Sequence, residues 1–590
     1  MLDLIPLIKQ KVSEAVLDVY DIGVEDVHVE HPENMDFGDY AVNTPLVIAK
    51  RIGKSPMEIA NGLKEHMVSC LEQEKDFAFV GSVEVAPPGF LNIVLSQKYL
   101  IDTLKDICET ADKPGGLYGA GTAFENKKVI VEYTDPNPFK VFHIGHLMPN
   151  VIGESLSRLI QNQGADVKRA NYQGDVGVHV AKAIWGLRKE MDAKNYTLED
   201  LEKMPLNNRI DFLGRAYAVG ATAFNEHENA KAEMKELNKK IYDLDPEVKE
   251  IYEKGRSWSL EYFETLYKRL GTKFDFYYFE RETGDQGLKV SRELLEKDVF
   301  EKSEGAVVFR GERYGLHTRV FVNSFGLPTY ESKDLGLAKT KYEDFPYDLS
   351  LIITSNDIEE YFKVVLKALE FIYPEYASKT IHLSHGMLRL KSGKMSSRTG
   401  EIISGDELMN KVRDAVYKKM EDKDWDIADK VAIAAIKYGI LKNNIGGNII
   451  FDEESWLSLT GDTGPYLQYT YARASSVLEK MGDKLESDSK IEKLSLSDTM
   501  KINEDESMIL RALYVFPEVA LAAAAEYSPN KVCTYLNAVA RRYNTFYSNN
   551  RILDAEDKDL RVLRLAVTMA VKVVMSNGLW LLGIECPERM

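Results

Sequence analysis

The chain has 590 residues, 44% of them hydrophobic and 28% charged, with a formal net charge of −18. That length accommodates about three or four domains of ordinary size, and no apolar run reaches the roughly 18 residues a membrane-spanning helix needs. The start MLDLIPLIKQKVSEAVLDVY reads as an amphipathic helix bearing acidic residues, unlike a secretory leader, and Cys70, Cys108, Cys533 and Cys586 show neither CxxC pairing nor Cys/His metal spacing, which fits reduced thiols in a cytoplasmic protein. The acidic balance speaks against indiscriminate nucleic-acid binding. Contact with nucleic acid, however, is made by local basic patches, and these have to be sought along the chain.

Residues 1–112 read as an α+β unit. A helix from Leu4 to Tyr20 comes first, then a loop and further helices, then FVGSVEVAPPGFLNIVLS, an alternating pattern broken by Pro-Pro-Gly that predicts strands around a turn. KPGGLYGAGTAFENK (113–127) is a linker candidate. KVIVEYT (128–134) predicts a buried strand that delivers the loop DPNPFKVFHIGH, and a helix follows from about Leu147 to Gln161, stopped by Gly164. With VKRANYQ as the next strand this is a βαβ opening, so residues 126–460 are expected to form a doubly wound, Rossmann-like parallel sheet of the α/β class. A charged helical stretch begins near Leu187, and about 187–320 reads as insertion. Strand-like FDFYYFE, AVVFR, TRVFV and DLSLIITS follow that helical stretch. Past about Ile433 the pattern is almost wholly helical, and 461–590 reads as an all-α domain.

In DPNPFKVFHIGH a strand hands a loop to a helix N-terminus, where free N–H groups favour phosphate. His143 and His146 can both donate to phosphate oxygens, Lys140 adds charge, and Gly145 removes a side chain where a base could lie on the backbone. Alone, such a pair is more often two surface histidines, and no third ligand sits at zinc spacing. Far downstream, strand-like MLRL leads into KSGKMSSRTG, a small, Gly-bounded basic loop carrying Lys391, Lys394 and Arg398, with no carboxylate nearby until Glu401. Such a loop suits a reaction in which pyrophosphate leaves, because a cation that follows the moving charge lowers the barrier.

Together, HIGH (143–146) after the first strand and KMSSR (394–398) late in the same domain resemble the paired signatures of class I aminoacyl-tRNA synthetases. VEYTDPNPFKVFHIGHL, NYQGDVGVHVAKAIWGL, PTYESKDLGLA, DTGPYLQYTYARASSVL and NGLWLLGIECPERM are similar to blocks of the arginyl type, in family order. The usual Lys-Met-Ser-Lys-Ser loop carries Ser397 at its second lysine and Arg398 beside it. That resemblance implies arginyl-adenylate formation from ATP with loss of Mg-pyrophosphate, transfer to the terminal adenosine of tRNA(Arg), and activation that waits for tRNA. It also implies a cytoplasmic monomer with ATP and Mg2+ as small partners and no membrane.

Residue by residue, the resemblance assigns Glu132, Tyr330 and Asp334 to the guanidinium. Tyr330 and Asp334 share one helix face, where a phenol and a carboxylate make a clamp. Asn137 and His143 would take the α-amino and carboxylate end; His143, Gly145, His146, His385, Gly386 and Met387 would border ATP; and Lys140, Lys394 and Arg398 would divide the phosphates. Where the family often has glutamine, this chain has Ile358 after Asn356 and Asp357. Residues 1–112 resemble the arginyl N-terminal extension that touches the outer corner of tRNA, with Phe90 to stack on a base and Asn92 to read its edge. In the last domain Tyr469, Tyr543, Tyr547 and the chain end at Met590 are expected near the anticodon, although an aromatic stripe is more often core.

Overall fold

A computed structural model describes residues 4–32, 34–71, 77–110, 117–391, 404–482, 496 and 500–590. The first helix runs Leu4–Tyr20, burying Leu4, Ile8, Val12, Ala15 and Val16 along one stripe. Behind it, Val29–Glu30, Tyr40–Val42, Phe90–Leu95 and Val80–Ala86 pair in that order as an antiparallel sheet. This is the α+β unit expected from the alternation in that region.

The second unit is built on a parallel sheet whose strand order is Thr380–His385, Leu349–Ser355, Lys128–Glu132, Asp166–Gln173, Phe276–Phe279. Every neighbouring pair is parallel. The strand of this sheet that comes first in the chain, Lys128–Glu132, sits at the centre with later strands laid to either side. The crevice beyond the carboxyl ends of Lys128–Glu132 and Leu349–Ser355 is therefore the topological switch point, where such sheets bind ligands. One feature of the insertion differs from expectation. The strand Phe276–Phe279, within the 187–320 stretch, pairs with Asp166–Gln173 and closes an edge of the main sheet. The helices between Val178 and Arg269 form one excursion, and Glu301–Ser303, Ala306–Phe309 and Arg319–Val322 form a separate antiparallel sheet. A short hydrophobic run between charged helices does not say which sheet it will join.

The last unit is helical, with Gly464–Gly482, Asn530–Asn549 and Lys558–Leu581 packed on one another. Lys558–Leu581 is apolar and long enough to cross a membrane, but 78% of its most apolar stretch is buried inside the protein. Its carboxyl end is gripped by the catalytic unit. Arg158 Nη1 donates to Trp580 O at 3.0 Å, Ser155 Oγ to Leu581 O at 2.9 Å, and Lys437 Nζ to Gly583 O. Orphan carbonyls of a helix end are thereby met by buried donors. Lys437 also donates to Leu270 O at 2.6 Å and is 2% exposed. Two carbonyls need two hydrogens, which a neutral amine supplies. Burial, with Arg158 close by, depresses the Lys437 pKa to about 7.

The folded protein therefore binds fewer protons than the unfolded chain between about pH 7 and the ~10.4 of a free lysine, and Lys437 makes stability rise with pH across that window. In urea unfolding, wild type should gain on Lys437→Met by about 1.4 kcal/mol per pH unit over that range. Parallel pH dependences of the two proteins would mean that Lys437 is buried as the ammonium.

Candidate active site

The loop from Thr134 to Phe139 leaves the central strand in a strained path. Thr134, Asp135 and Phe139 have φ of 81°, 43° and 68°, values that cost a residue with a Cβ and are found where surrounding contacts over-determine them. Those contacts are explicit. Asn150 Nδ2 donates to Thr134 Oγ1 at 3.0 Å, Tyr172 N donates to Asp135 Oδ1 at 2.8 Å, and Phe139 N donates to Ser259 Oγ at 3.0 Å.

The loop delivers His143 as the N-cap of the helix Ile144–Asn162, which begins between the two histidines, three residues earlier than the hydrophobic pattern indicated. The reason is a reciprocal cap. Gly145 N donates to His143 Nδ1 at 3.0 Å, His143 N donates to His146 Nδ1 at 3.2 Å, and the two rings stack with centroids 3.8 Å apart. With both Nδ1 atoms accepting, the neutral rings carry their protons on Nε2. Burial and the nearby Lys140 lower the His143 pKa to about 4. His146, 8% exposed, is held well below the usual range by burial, His143 and Lys140. Both are thus neutral donors at physiological pH. Gly145 has a reason other than base packing, since a Cβ there would stand 2.7 Å from His143 Cε1.

The backbone just beyond the second signature meets the first. Ser404 bridges His143, and Gly405 N donates to Phe142 O at 2.8 Å. Lys394 and Arg398 themselves lie outside the described residues. Lys391, read as lacking a carboxylate neighbour, pairs with Asp452 at 2.9 Å across 61 residues of sequence. At the end of the neighbouring strand, His385 Nδ1 is 2.6 Å from Gly386 O, while its Nε2 is buried without a partner among the described residues. Gly386 packs so closely that a Cβ would be 2.2 Å from Gly447 O, and Met387 N donates to Asn448 Oδ1 at 2.8 Å. Asp357 is exposed on the turn Asn356–Ile358, accepts from Ser355 Oγ and bears electrostatically on His385.

Beside the histidines lies an acidic pocket. Glu132 ends the central strand, 3% exposed, with Oε2 bound to Lys341 Nζ at 2.6 Å. Glu280, 6% exposed, holds Lys333 Nζ at 2.6 Å. Among the described residues Asp334 accepts from a neutral donor, the Tyr361 hydroxyl, and burial in the company of Glu132 and Glu280 pushes its pKa up to about 8. Asp135 is likewise raised by burial and Glu132. The pocket therefore holds more carboxylate than cation. Tyr330 stands at the start of the Asp334 helix, 56% exposed. Gly174 lets Asn137 and Glu280 converge, since a Cβ there would lie 2.3 Å from Asn137 Oδ1 and 3.0 Å from Glu280 Oε1. Lys140 approaches the Tyr217 ring at 5.6 Å. Glu280, Lys333, Lys341 and Tyr361 escaped the sequence reading because each sits in an ordinary amphipathic stretch, and only the fold brings them together.

Among the nucleic-acid candidates, Phe90 is part-exposed but Asn92 only 4% exposed. Tyr543 is 0% exposed and packs against Phe546, so it is a core residue rather than a surface one. Its helical spacing served packing. Tyr469 and Tyr547 do come together. The Arg473 guanidinium lies 4.7 Å from the Tyr469 ring and 4.8 Å from the Tyr547 ring, and donates to Tyr469 Oη at 2.8 Å. Met590 is 40% exposed.

Residues 6–95 match the arginyl tRNA synthetase N terminal domain, residues 115–453 the catalytic domain of class I (R) tRNA synthetases, and residues 467–590 the DALR anticodon binding domain. An arginine–tRNA ligase of Treponema denticola is 31% identical over 96% of this chain and 95% of its own length. One from Clostridium perfringens is 29% identical over 99% and 100%. The arginyl-tRNA synthetase structure of Thermus thermophilus superposes with a TM-score of 0.78 at 24% identity, covering 99% of this chain and all of that one.

A Gly145→Ala enzyme tests the reciprocal cap. Gly145 is exposed, so folding should be little affected. Displacing the His143 ring by about 1 Å should slow ATP-dependent adenylate formation on the order of 100-fold. A rate within a factor of about two of wild type would show that ring placement does not matter.

Proposed function

Since the chain belongs to the arginyl-tRNA synthetases of class I and ligates arginine to tRNA at the expense of ATP, we propose that the acidic pocket is its arginine site and the capped histidines its phosphate site. The observation that carries this reading is the shortage of cations beside Asp334, next to two neutral imidazole donors at a topological switch point. A guanidinium supplies the missing charge and can span Asp334 and the oxygen of Glu132 not claimed by Lys341. Tyr330 covers its plane. Asn137 and His143 then hold the α-amino and carboxylate end.

In this arrangement the arginine carboxylate oxygen attacks the α-phosphorus of ATP, the bond to the bridging oxygen breaks, and pyrophosphate departs with the electron pair. His143 and His146 donate from Nε2 to phosphate oxygens, and Lys140, Lys394 and Arg398 balance the charge that moves onto the leaving group. His385, Gly386 and Met387 border the nucleotide. Mg2+ accompanying ATP would supply charge neutralisation on the phosphates. The 2′-hydroxyl of the terminal adenosine then attacks the carbonyl carbon and AMP leaves. No protein nucleophile takes part, so positioning and charge stabilisation do the catalysis.

For tRNA, Phe90 faces the outer corner, Asn92 being buried, while Tyr469, Arg473, Tyr547 and Met590 form the anticodon surface. The enzyme acts as a cytoplasmic monomer.

Asp334→Ala should raise the KM for arginine by at least about 30-fold, the cost of removing one partner of a buried charge pair, while the KM for ATP stays put. An equal rise in both would remove Asp334 from the arginine site. Because arginine pairs with the ionised form, log(kcat/KM) for arginine should climb with pH to about 8 and then level off.

Tyr547→Ala should raise the KM for tRNA roughly ten-fold, the worth of one lost base stack. Tyr543→Phe deletes only a hydroxyl without a partner among the described residues and should leave that KM unchanged. The opposite ranking in aminoacylation assays would move the anticodon surface elsewhere.

A further inference from the structure

Each carboxylate of the arginine pocket has one oxygen tied from behind. Glu132 is held by Lys341 and Glu280 by Lys333, both through ion pairs of 2.6 Å. Asp334 is held by a phenol, Tyr361, which carries no charge. Tyr361 opens the helix Glu359–Glu370 just after the turn Asn356–Ile358. Burial and the carboxylates of Asp334 and Glu331 keep its proton on the oxygen, so the phenol is the donor and Asp334 the acceptor. The ring is fixed from its sides. The Arg319 guanidinium lies 5.7 Å from its centroid, itself paired with Glu331 at 3.6 Å, and Phe362 meets it edge-on at 5.2 Å.

We propose that Tyr361 is a positioning and specificity residue: by donating to Asp334 it aims that carboxylate and favours its ionised form, so that the pocket prefers a guanidinium to a neutral isostere. The proposal rests on the reading of Asp334 as the guanidinium partner.

The groups facing Asp334 are almost all negative or neutral. Glu132 lies on the central strand, Glu280 on the neighbouring helix and Glu331 on its own helix. Asp135 on the strained loop and Tyr172 on the next strand also face it, and Lys341 is the cation within range. The Tyr361 hydrogen bond is the local contact that favours the charged form. Without it the carboxyl group keeps its proton to higher pH. A carboxylic acid can donate its O–H to the ureido oxygen of citrulline, whereas a carboxylate can only accept. Loss of the phenol oxygen therefore weakens arginine binding and, at the same pH, removes the penalty on the neutral analogue. Lys341 and Lys333 cannot stand in, because their charges are already matched to Glu132 and Glu280.

Tyr361→Phe removes one oxygen and leaves the ring packing. The full-length enzyme with this change should show a KM for arginine raised about 10-fold near pH 7.5, a hydrogen bond to a charged group being lost. The kcat and the KM for ATP should stay within about two-fold. The acid limb of log(kcat/KM) for arginine should move up by about one pH unit, and inhibition by citrulline relative to arginine should tighten by about 10-fold. A pH profile superimposable on wild type, or a loss equal for arginine and ATP at every pH, would overturn the proposal and reduce Tyr361 to a packing residue. Asp334→Asn measured alongside separates the two ideas. If it raises the arginine KM while Tyr361→Phe does not, the Tyr361 proposal alone fails. If it leaves the arginine KM unchanged, the reading of Asp334 fails and the proposal falls with it.

Discussion

The first N–H groups of the helix Ile144–Asn162 have no partner within the helix, and the way they are met decides where the rest of the catalytic unit can stand. A serine or aspartate cap would satisfy one of them and finish there. A histidine cap does something further. His143 and His146 each spend Nδ1 on a backbone N–H, which fixes tautomer and ring plane together and leaves Nε2–H as the working donor. The remaining geometry serves this arrangement. The positive φ angles at Thr134, Asp135 and Phe139 bring the chain to the helix at the required angle, Gly145 leaves space for the ring, and Ser404, beyond the basic loop in sequence, bridges to the same backbone.

The same helix is anchored along its length. Glu154 is held by Arg158 and Arg169 at 2.7 and 3.1 Å and by the Tyr133 hydroxyl at 2.7 Å. Arg158 and Ser155 then reach across to the carbonyls at the end of Lys558–Leu581. The histidine-capped end of this helix and the turn after Lys558–Leu581 are therefore joined through one rigid element. A buried, fully paired network of this kind is costly to break at any member, so it fixes the helical domain against the catalytic domain as well as the helix within its own sheet.

What the sequence disclosed follows from range. The strand KVIVEYT, the loop and the helix after it are contiguous, and their apolar period and turn residues are local signals, so the βαβ opening and the helical carboxyl-terminal domain were legible. The start of the helix was misplaced by three residues because histidine is an uncommon cap, and only the two rings together make it one. Phe276–Phe279 was legible as a strand, but its sheet was not, because pairing is decided by partners about a hundred residues away. Tyr543 and Tyr547 look equivalent on a helix projection, yet one is wholly buried and the other 39% exposed. Glu132 and Asp334 could be named from their motifs. Their electrostatic state could not, because it is set by Lys341, Tyr361 and Glu280, none of which carries a local mark.

The two halves of the site pose a problem of charge that the neutral histidines resolve. Arginine arrives with a guanidinium and an α-ammonium, and ATP with several negative charges, and the reaction requires the arginine carboxylate to approach the α-phosphate, anion against anion. On the proposed placement of the substrates, a cationic histidine at position 143 would ease that approach but would repel the α-ammonium. Burial, with Lys140 nearby, keeps the His143 pKa at about 4, so the ring offers an N–H dipole of fixed direction and no net charge. On the proposed placement the charge of the departing pyrophosphate falls to Lys140, Lys394 and Arg398, while the acidic pocket takes the guanidinium. In the proposed site, fixed dipoles at the centre and opposite charges at the two flanks would hold a cationic amino acid and an anionic nucleotide in register, and neither would have to neutralise the other before the bond forms.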